Sequence, residues 1–284
     1  MRVDDPSDGE ADDRISEHDR VRSADPAEAH DREECYRDLR AYDEVPGHRP
    51  AGRCTDEPGS GGDGRWKWKG LELSPEANRV ADEGLAVRQA AEGRDAEGNY
   101  GEGGLTPAMR RVEAELEHGT LAPDTEKFAL KSPDRFKEKL AKMISLEPDV
   151  TSGDHVARIH DGIRYTFIFE DQFYSTGVRA AENCLTEHGY KLVGRKPSWL
   201  GKEYRGINTQ WRNPASGQLF EVQFHTPASW DAKQRTHDSY EKVQNPATLA
   251  EERARLRDYQ REIASSVTIP PGALEFAPYK EEGR

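Results

Sequence analysis

The clearest alternation of apolar and polar positions lies in residues 219–226, LFEVQFHT. Phenylalanine and valine alternate there with Glu221, Gln223 and His225. Side chains of a β-strand point to its two faces in turn, so this segment predicts a strand with one apolar and one polar face. A carboxylate, an amide and an imidazole in a row are unusual for a face that only meets water, and they make this face a candidate site.

Patterns along the rest of the chain predict helices and further strands. Thr106 and Ser132 are each followed by proline, which is typical of a helix start. The predicted elements are helices over 75–92, 106–118 and 132–144, a strand over 162–169, a helix over 171–188, strands over 190–196, 204–211 and 219–226, a helix from Thr226 to about Tyr240, and a last helix over 248–267. This order predicts an α+β fold, with a mixed β-sheet of about five strands flanked by helices.

Charge and composition divide the chain. Residues 1–64 hold 19 Asp and Glu against 9 Arg and no Lys, whereas the remaining residues hold 35 acidic and 32 basic side chains. So acidic a stretch, poor in apolar residues, buries too little apolar surface to offset its ordering entropy. We therefore predict an acidic disordered or linker segment over 1–64, a poorly defined helical and loop lead-in over 65–104, and a folded domain over 105–284.

The sequence lacks the signatures of several other classes of protein. No apolar run reaches the length of about 18 residues that a membrane-spanning helix needs. The first residues, MRVDDPSDGEADD, contain no apolar stretch typical of a signal peptide, although a mature or trimmed chain would not retain one. Cys35, Cys54 and Cys184 form neither CxxC nor a zinc spacing, and Cys35 and Cys54 either close a disulfide loop or stay free. Neither a Walker A sequence nor GxGxxG occurs.

Neighbouring strands add polar groups to the candidate face. Tyr204, Asn208 and Gln210 share one side of the strand before LFEVQFHT, and Asp161 stands at the entrance of the first predicted strand. If these faces coincide, Asp161 and Glu221 come together. Two carboxylates suit a magnesium ion, which takes further oxygens from substrate phosphates. The alternative is a solvated sheet face without chemistry.

Basic residues recur near the start of one predicted helix. Lys131, Arg135 and Lys139 follow each other at intervals of four and form one stripe, and Arg195 and Lys196 lie on a later strand. Amides at a helix start together with such cations favour a polyphosphate site. The commoner alternative for a stripe of this kind is a solvated helix face.

Four segments in a fixed order carry a family resemblance: LKSPDRFKEKL, DGIRYT, YRGIN and FEVQFHT. Over roughly residues 105–265 they resemble the synthetase domain of the RelA/SpoT family of alarmone synthetases. The resemblance is closest to secreted and toxin-like members, including actinobacterial extracellular nucleotide pyrophosphokinases. It implies the alarmone synthetase fold, which is nucleotidyltransferase-like. It also implies transfer of the β,γ-pyrophosphate of ATP to the 3′-hydroxyl of a purine nucleotide, which yields (p)ppGpp or (p)ppApp and AMP.

On the donor side, the resemblance implies a catalytic Glu221 and Mg²⁺ held by Asp161 and Glu221. Asp161 stands three residues before Arg164, where the family pattern has five. Ala129 occupies the position of a second adenine-stacking arginine found in many members. The residues expected to bind ATP, through its phosphates or by stacking of Arg164 on adenine, are Lys131, Arg135, Lys139, Arg164, Arg195 and Lys196.

On the acceptor side, the resemblance implies that Tyr204 stacks on the purine base. Asn208 stands where the common pattern has histidine, which bears on the choice of acceptor. His225 replaces the arginine of the usual E-x-Q-x-R-T segment. Gln223 and His225 are expected to hold phosphate oxygens or ribose of the acceptor.

Two alternatives stay open at this point. Some toxin-like relatives pyrophosphorylate RNA 3′ ends, and a non-catalytic nucleotide-binding module would keep the sheet without the chemistry. The nearly neutral charge of 65–284 disfavours nucleic acid, and the joint presence of Glu221, Arg164 and Tyr204 disfavours a non-catalytic module. We expect ATP and a purine nucleotide as partners and no membrane. The resemblance favours an extracellular over a cytoplasmic location, and the sequence does not give the oligomeric state.

Overall fold

Two sheets organise the computed structural model, which describes residues 58–95, 97–245 and 247–281. The strands are β1 (Gly59–Ser60), β2 (Trp66–Trp68), β3 (Leu71–Leu73), β4 (Gly119–Leu121), β5 (Arg164–Phe169), β6 (Lys191–Pro197), β7 (Ile207–Arg212), β8 (Leu219–His225) and β9 (Tyr279–Lys280). Strands β1 to β3 form a small antiparallel sheet, and the others form one mixed sheet in the order β4-β5-β8-β7-β6-β9. The predicted α+β fold is confirmed, with six strands in the main sheet in place of about five.

Helices surround the main sheet. They are α1 (Pro75–Glu92), α2 (Leu105–Glu115), α3 (Thr125–Phe128), α4 (Pro133–Leu146), α5 (Ser152–Arg158), α6 (Tyr174–Glu187), α7 (Pro227–Arg235), α8 (His237–Gln244) and α9 (Ala250–Ser265). Short 3-10 turns cover His160–Gly162, Asp171–Phe173 and Ala273–Glu275. Within the described ranges, none of the helices is both long and apolar enough to cross a membrane. The predictions for residues 1–57, including a Cys35–Cys54 disulfide, lie outside the described residues, whereas Cys184 is a free thiol.

Helix α2 differs from its prediction at both ends. It begins after Gly104, so Thr106 does not cap it. The Thr106 hydroxyl is instead buried against the Tyr165 hydroxyl, 2.8 Å away, because tertiary packing offers it a closer partner than the helix start does. Gly119, expected to end the helix, is the first residue of strand β4, which pairs with β5.

The helix predicted from Thr226 is two helices. α7 begins as expected: Thr226 accepts a hydrogen bond from the Ser229 N–H, and the Ser229 side chain caps the Thr226 backbone in return. α7 ends at Arg235, its C-cap Thr236 donates its hydroxyl to the Ala232 carbonyl, and α8 starts at His237.

The register of three central strands brings the predicted polar residues onto one face. β5 and β8 are parallel with Arg164 beside Glu221, and β7 and β8 are antiparallel with Gln210 beside Glu221. Asn208 lies beside Gln223 in the same ladder. Paired residues of adjacent strands point to the same side of the sheet, so these side chains share one face. We call it the polar face.

The opposite face of the main sheet packs into the hydrophobic core. Aromatic side chains of β5 and β8 stack there, with the rings of Phe167 and Phe224 6.3 Å apart. Helix α6 covers this face, and a Cβ on Gly177 would come within 2.2 Å of the Phe169 ring, so only glycine permits so close an approach. Burial of each such ring contributes about 1.5–3 kcal/mol.

The polar face is also covered, because α7 crosses β5 and β8. All seven residues of β8 are buried, including Gln223 at 3% and His225 at 0% exposure. A merely solvated face would leave these side chains open to water. The polar side chains of β8 are therefore not solvated, and they require partners within the protein or from a ligand.

A second apolar cluster holds the helix that carries the predicted lysine stripe. Residues of the small sheet and of α1 pack there against Phe136 and Leu140 of α4. Trp66 also donates its indole N–H to Asp134 at 3.0 Å. From α1, the buried guanidinium of Arg88 donates to the carbonyls of Val156 at 2.7 Å and of Ile159 at 2.9 Å. The turn leading into β5 is thus fixed from the side of the small sheet.

Candidate active site

Glu221 lies at the centre of the polar face, where β5 and β8 run side by side. Its backbone N–H donates to the Ile163 carbonyl at 2.9 Å, which fixes it next to Arg164. Arg164 Nη1 is 4.0 Å from Glu221 Oε1, and Gln223 Nε2 donates to the same oxygen at 2.7 Å. Glu221 is 7% exposed. It is therefore a buried carboxylate with one nearby cation and one amide donor.

Asp161 lies in the 3-10 turn just before β5 and binds two lysines. Its Oδ2 is 3.2 Å from Lys131 Nζ, and its Oδ1 accepts from Lys139 Nζ at 2.5 Å. Burial alone would raise the pKa of Asp161, but the charges of Lys131 and Lys139 outweigh it and hold the pKa well below its usual range. Burial lowers the pKa of Lys131, and the Asp161 charge opposes that shift. We call these three residues the ion triad.

Asp161 and Glu221 are the two residues of this site that could hold a magnesium ion. Asp161 and Glu221 offer carboxylate oxygens at the same end of β5 and β8, and Mg²⁺ typically takes one or two carboxylates together with phosphate oxygens and water. Among the described residues there is no group of three or more Asp, Glu, His or Cys of the kind that would hold a metal without a substrate.

Arg135 does not join the ion triad, although it belongs to the same stripe. Its guanidinium donates to Glu138 at 2.8 Å and to Glu241 of α8. It also lies over the Trp68 ring, 5.0 Å from the ring centroid. The structure thus brings Lys131 and Lys139 together and turns Arg135 toward the small sheet.

Arg195 and Lys196 lie on opposite faces of β6. Arg195 pairs with Glu182 of α6, with Nη2 2.5 Å from Oε2, on the side of the hydrophobic core. Lys196 is exposed and lies beside Asn208 in the ladder, on the polar face. Of these two predicted ATP-binding residues, only Lys196 shares a face with Glu221.

Tyr204 and His225 form the other end of the polar face. Tyr204 lies in the loop before β7, and its hydroxyl donates to Asn208 Oδ1 at 2.6 Å and lies 2.9 Å from His225 Nε2. His225 Nδ1 is 2.9 Å from the Ser229 hydroxyl. Burial, together with the nearby charges of Lys233 and Arg164, lowers the pKa of His225 well below its usual value, so this imidazole is neutral. The Tyr204 ring is half-buried and meets the His225 ring in a T-shaped contact, with the centroids 5.4 Å apart.

Lys233 of α7 is a site residue that the sequence reasoning missed. Its ammonium donates to Gln223 Oε1 at 2.6 Å, and Gln223 in turn donates to Glu221. Burial, aided by Arg164, lowers the pKa of Lys233 to about 7, and the charge of Glu221 opposes that shift. The helical spacing could have identified Lys233. It follows Ser229 by four residues and therefore lies on the same face of α7, the face that contacts the sheet.

His160 was missed as well. Its Nε2 accepts a hydrogen bond from Gln210 Nε2 at 2.9 Å, which connects the residue before Asp161 to the polar face. Burial and the charge of Lys139 lower the pKa of His160, against the opposing effect of Glu221. Its position directly before Asp161 in the sequence was the available signal.

The side chains form an ordered row along β5 and β8. The ion triad lies at one end, Glu221 and Arg164 follow, then Gln223 with Lys233, and His225 with Tyr204 lie at the far end. Cations thus lie on both sides of a central carboxylate, an arrangement whose chemistry suits two phosphorylated groups with a proton acceptor between them.

Comparisons with known proteins give structural neighbours only. No family model and no curated protein matches the chain. The small alarmone synthetase 1 from Bacillus subtilis aligns with a TM-score of 0.43 at 15% identity, over 66% of this chain and 91% of that chain. The same enzyme bound to its product pppGpp gives 0.40 at 14% identity, over 66% and 91%. The Type VI effector Tas1, in complex with its immunity protein, gives 0.37 at 18% identity, over 66% and 98%.

Proposed function

We propose that this chain is an ATP:nucleotide 3′-pyrophosphotransferase of the RelA/SpoT type. It would transfer the β,γ-pyrophosphate of ATP to the 3′-hydroxyl of a purine nucleotide and release AMP. The observation that carries the proposal is the position of Glu221, a buried carboxylate between the lysines of the ion triad and the Lys233–Tyr204 end of the polar face. A carboxylate between two phosphate-binding groups suits a transfer between two nucleotides, because it orients the reacting groups and can take up the proton that is released.

The proposed reaction forms a bond between the acceptor O3′ and the β-phosphorus. It breaks the bond from that phosphorus to the oxygen bridging to the α-phosphate, and AMP leaves with this oxygen. Glu221 accepts the proton of the 3′-hydroxyl. Lys131 and Lys139 leave Asp161 and hold phosphate oxygens of ATP, while Arg164 stacks on adenine.

Mg²⁺ is part of the proposal. When bound, it neutralises charge on the transferred phosphates and orients them. Asp161 and Glu221 would hold it. In the free protein Lys131 and Lys139 occupy both oxygens of Asp161, so in this proposal the lysines leave Asp161 before it binds the metal.

The acceptor is proposed to lie at the Tyr204 end. The Tyr204 ring is positioned by its hydroxyl, which is bound between Asn208 and His225, so its face can stack on a purine. Stacking does not distinguish adenine from guanine, and (p)ppApp and (p)ppGpp are both proposed products. Membership of the secreted or toxin-like branch remains a prediction from the resemblance.

The test is transfer of label from γ-labelled ATP, with magnesium, to AMP, GDP, GTP or tRNA in separate reactions. We expect a labelled nucleotide and one AMP released per transfer, and no reaction with Glu221→Gln. Labelled tRNA would establish the RNA 3′ end as the acceptor instead. If none of the four acceptors is labelled while the protein is folded, the proposed activity is wrong.

A further inference from the structure

Lys233 is a half-buried amine whose hydrogen-bond partner is neutral. Its ammonium donates to the Gln223 amide oxygen at 2.6 Å and lies over the Trp230 ring, 4.5 Å from the centroid. Within the described part of the chain, no carboxylate lies within ion-pair distance of it. Removing a charge from water without a counter-charge is costly, and an anionic ligand would offset that cost.

The place of Lys233 along the sheet separates it from the ion triad. Gln223, its partner, follows Glu221 by two residues, which is about 7 Å along a strand. The step leads away from Asp161 and toward His225, whose ring is bound to the Tyr204 hydroxyl. Glu221 thus lies between the lysines of the ion triad and Lys233. An anion held by Lys233 would belong to the group that lies against Tyr204.

A small cavity next to Lys233 provides an independent observation. It is lined by Tyr204, Arg205, Lys233 and Gln260, among others, and also by Glu203, whose carboxylate pairs with Arg261 at 3.2 Å. Gln260 of α9 is 3% exposed, and its Nε2 has no hydrogen-bond partner among the described residues. An orphaned buried N–H donor costs free energy until an acceptor reaches it. A lysine and an unpartnered amide donor around one cavity favour an anionic oxygen over a cation.

We propose that Lys233, together with Gln260, binds the 5′-phosphate of the acceptor nucleotide. The assignment rests on the proposed function, since it takes Glu221 as the residue that meets the acceptor 3′-hydroxyl. It makes the enzyme selective for nucleotides over nucleosides. In the free protein, the Lys233 ammonium donates to the Gln223 amide oxygen. In the proposed complex, the same ammonium donates to the phosphate.

The first test is binding without transfer. With the donor site saturated by a non-transferable ATP analogue, calorimetry compares AMP with adenosine and GMP with guanosine. We expect the wild type to bind the better nucleotide roughly 10- to 100-fold more tightly than its nucleoside, the range that a charge-assisted hydrogen bond supplies. Lys233→Met should reduce this ratio to about threefold or less, and Lys233→Arg should retain most of it. Lys67→Met, whose side chain is 64% exposed on the small sheet, is the control and should match the wild type.

The second test is steady-state kinetics. Lys233→Met should raise the KM for the acceptor nucleotide roughly 10- to 100-fold and change kcat little, with the nucleoside reaction unaffected. An equal fall in kcat for nucleotide and nucleoside, with KM unchanged, would mean that Lys233 only positions Glu221 through Gln223, and the assignment would be wrong. Gln260→Leu gives the same comparison if Lys233→Met fails to fold.

These outcomes distinguish the two proposals. Transfer activity with an unchanged preference for phosphorylated acceptors in Lys233→Met overturns the phosphate assignment alone. A preference that depends on Lys233, in a protein that transfers no pyrophosphate, overturns the proposed function alone. If the wild type binds neither nucleotide, both are wrong.

Discussion

The ion triad allows a test of the candidate site that needs no ligand. Asp161 binds Lys131 and Lys139 through its two oxygens. Asp161→Asn keeps the size of the side chain and removes its charge, so two ammonium groups are left close together without their shared counter-charge. We expect the variant to fold with a lower free energy of unfolding.

The exposure of the three side chains sets the magnitude. It is 17% for Asp161, 18% for Lys131 and 33% for Lys139. An exposed ion pair contributes about 0–1 kcal/mol, and removing one partner of a fully buried pair costs about 3–5 kcal/mol. The triad lies between these limits. At neutral pH we expect Asp161→Asn to lower the free energy of unfolding by about 1–3 kcal/mol.

The pH dependence of the same difference has a definite sign. Burial opposes ionisation, yet Lys131 and Lys139 hold the pKa of Asp161 well below its usual range. A carboxyl with a lower pKa in the folded state adds stability that is complete above its unfolded pKa of about 3.9 and is lost as the pH falls below it. The free energy of unfolding of the wild type should therefore exceed that of Asp161→Asn by its full amount at neutral pH and by progressively less below about pH 4.5.

Urea unfolding followed by tryptophan fluorescence measures both effects. Asp231→Asn is the matched control, because the Asp231 carboxylate is 66% exposed and lies 3.6 Å from Arg235. The control should change the free energy of unfolding by no more than about 0.5 kcal/mol. Wild-type stability of Asp161→Asn at neutral pH, or a loss that stays the same in acid, would refute the electrostatic account of the triad.

Three further predictions address the chemistry. Glu221→Gln should keep the fold by circular dichroism and lose at least about 100-fold in turnover, and wild-type turnover would exclude Glu221 as the proton acceptor. Tyr204→Ala should raise the KM for the acceptor roughly five- to hundredfold while the KM for ATP barely moves and Tyr204→Phe stays mild; the reverse pattern in steady-state kinetics would place the two nucleotides the other way round. Burial lowers the folded pKa of Lys233 to about 7, so the unfolded chain binds more protons than the folded chain between about pH 7 and pH 10. As the pH rises through this range, the free energy of unfolding of the wild type should therefore increase relative to that of Lys233→Met. A difference that does not change with pH in denaturant titrations would contradict the burial of Lys233.

The strands of the site were predictable because their pattern is local. The alternation in 219–226 identified β8, and it placed Glu221, Gln223 and His225 on one side before any partner strand was known. The same two-residue period separates Arg195 from Lys196, since neighbours in a strand point to opposite faces. Applied to β6, this period would have predicted that only one of Arg195 and Lys196 lies on the same face as Glu221.

Other features depend on contacts that the sequence does not encode locally. Gln223 is buried because α7 packs over the polar face. The same packing brings Lys233 into contact with Gln223, ten residues earlier in the chain. Strand β4 has three residues and gains its identity from pairing with β5. The stripe of Lys131, Arg135 and Lys139 divides because Glu241 and Trp68, which are remote in sequence, attract the middle cation.

The buried guanidinium of Arg88 shows that the segment needed to hold the site starts before the segment that carries the family resemblance. The stretch that resembles a known synthetase begins at about residue 105 and contains every candidate catalytic residue. Yet Arg88 precedes it, and its bonds to Val156 and Ile159 hold the turn that carries Asp161. Trimming the chain to the recognisable motifs would retain the candidate catalytic residues but remove the two hydrogen bonds of Arg88. The shortest segment that folds with a complete site is therefore longer than the shortest segment that the motifs identify.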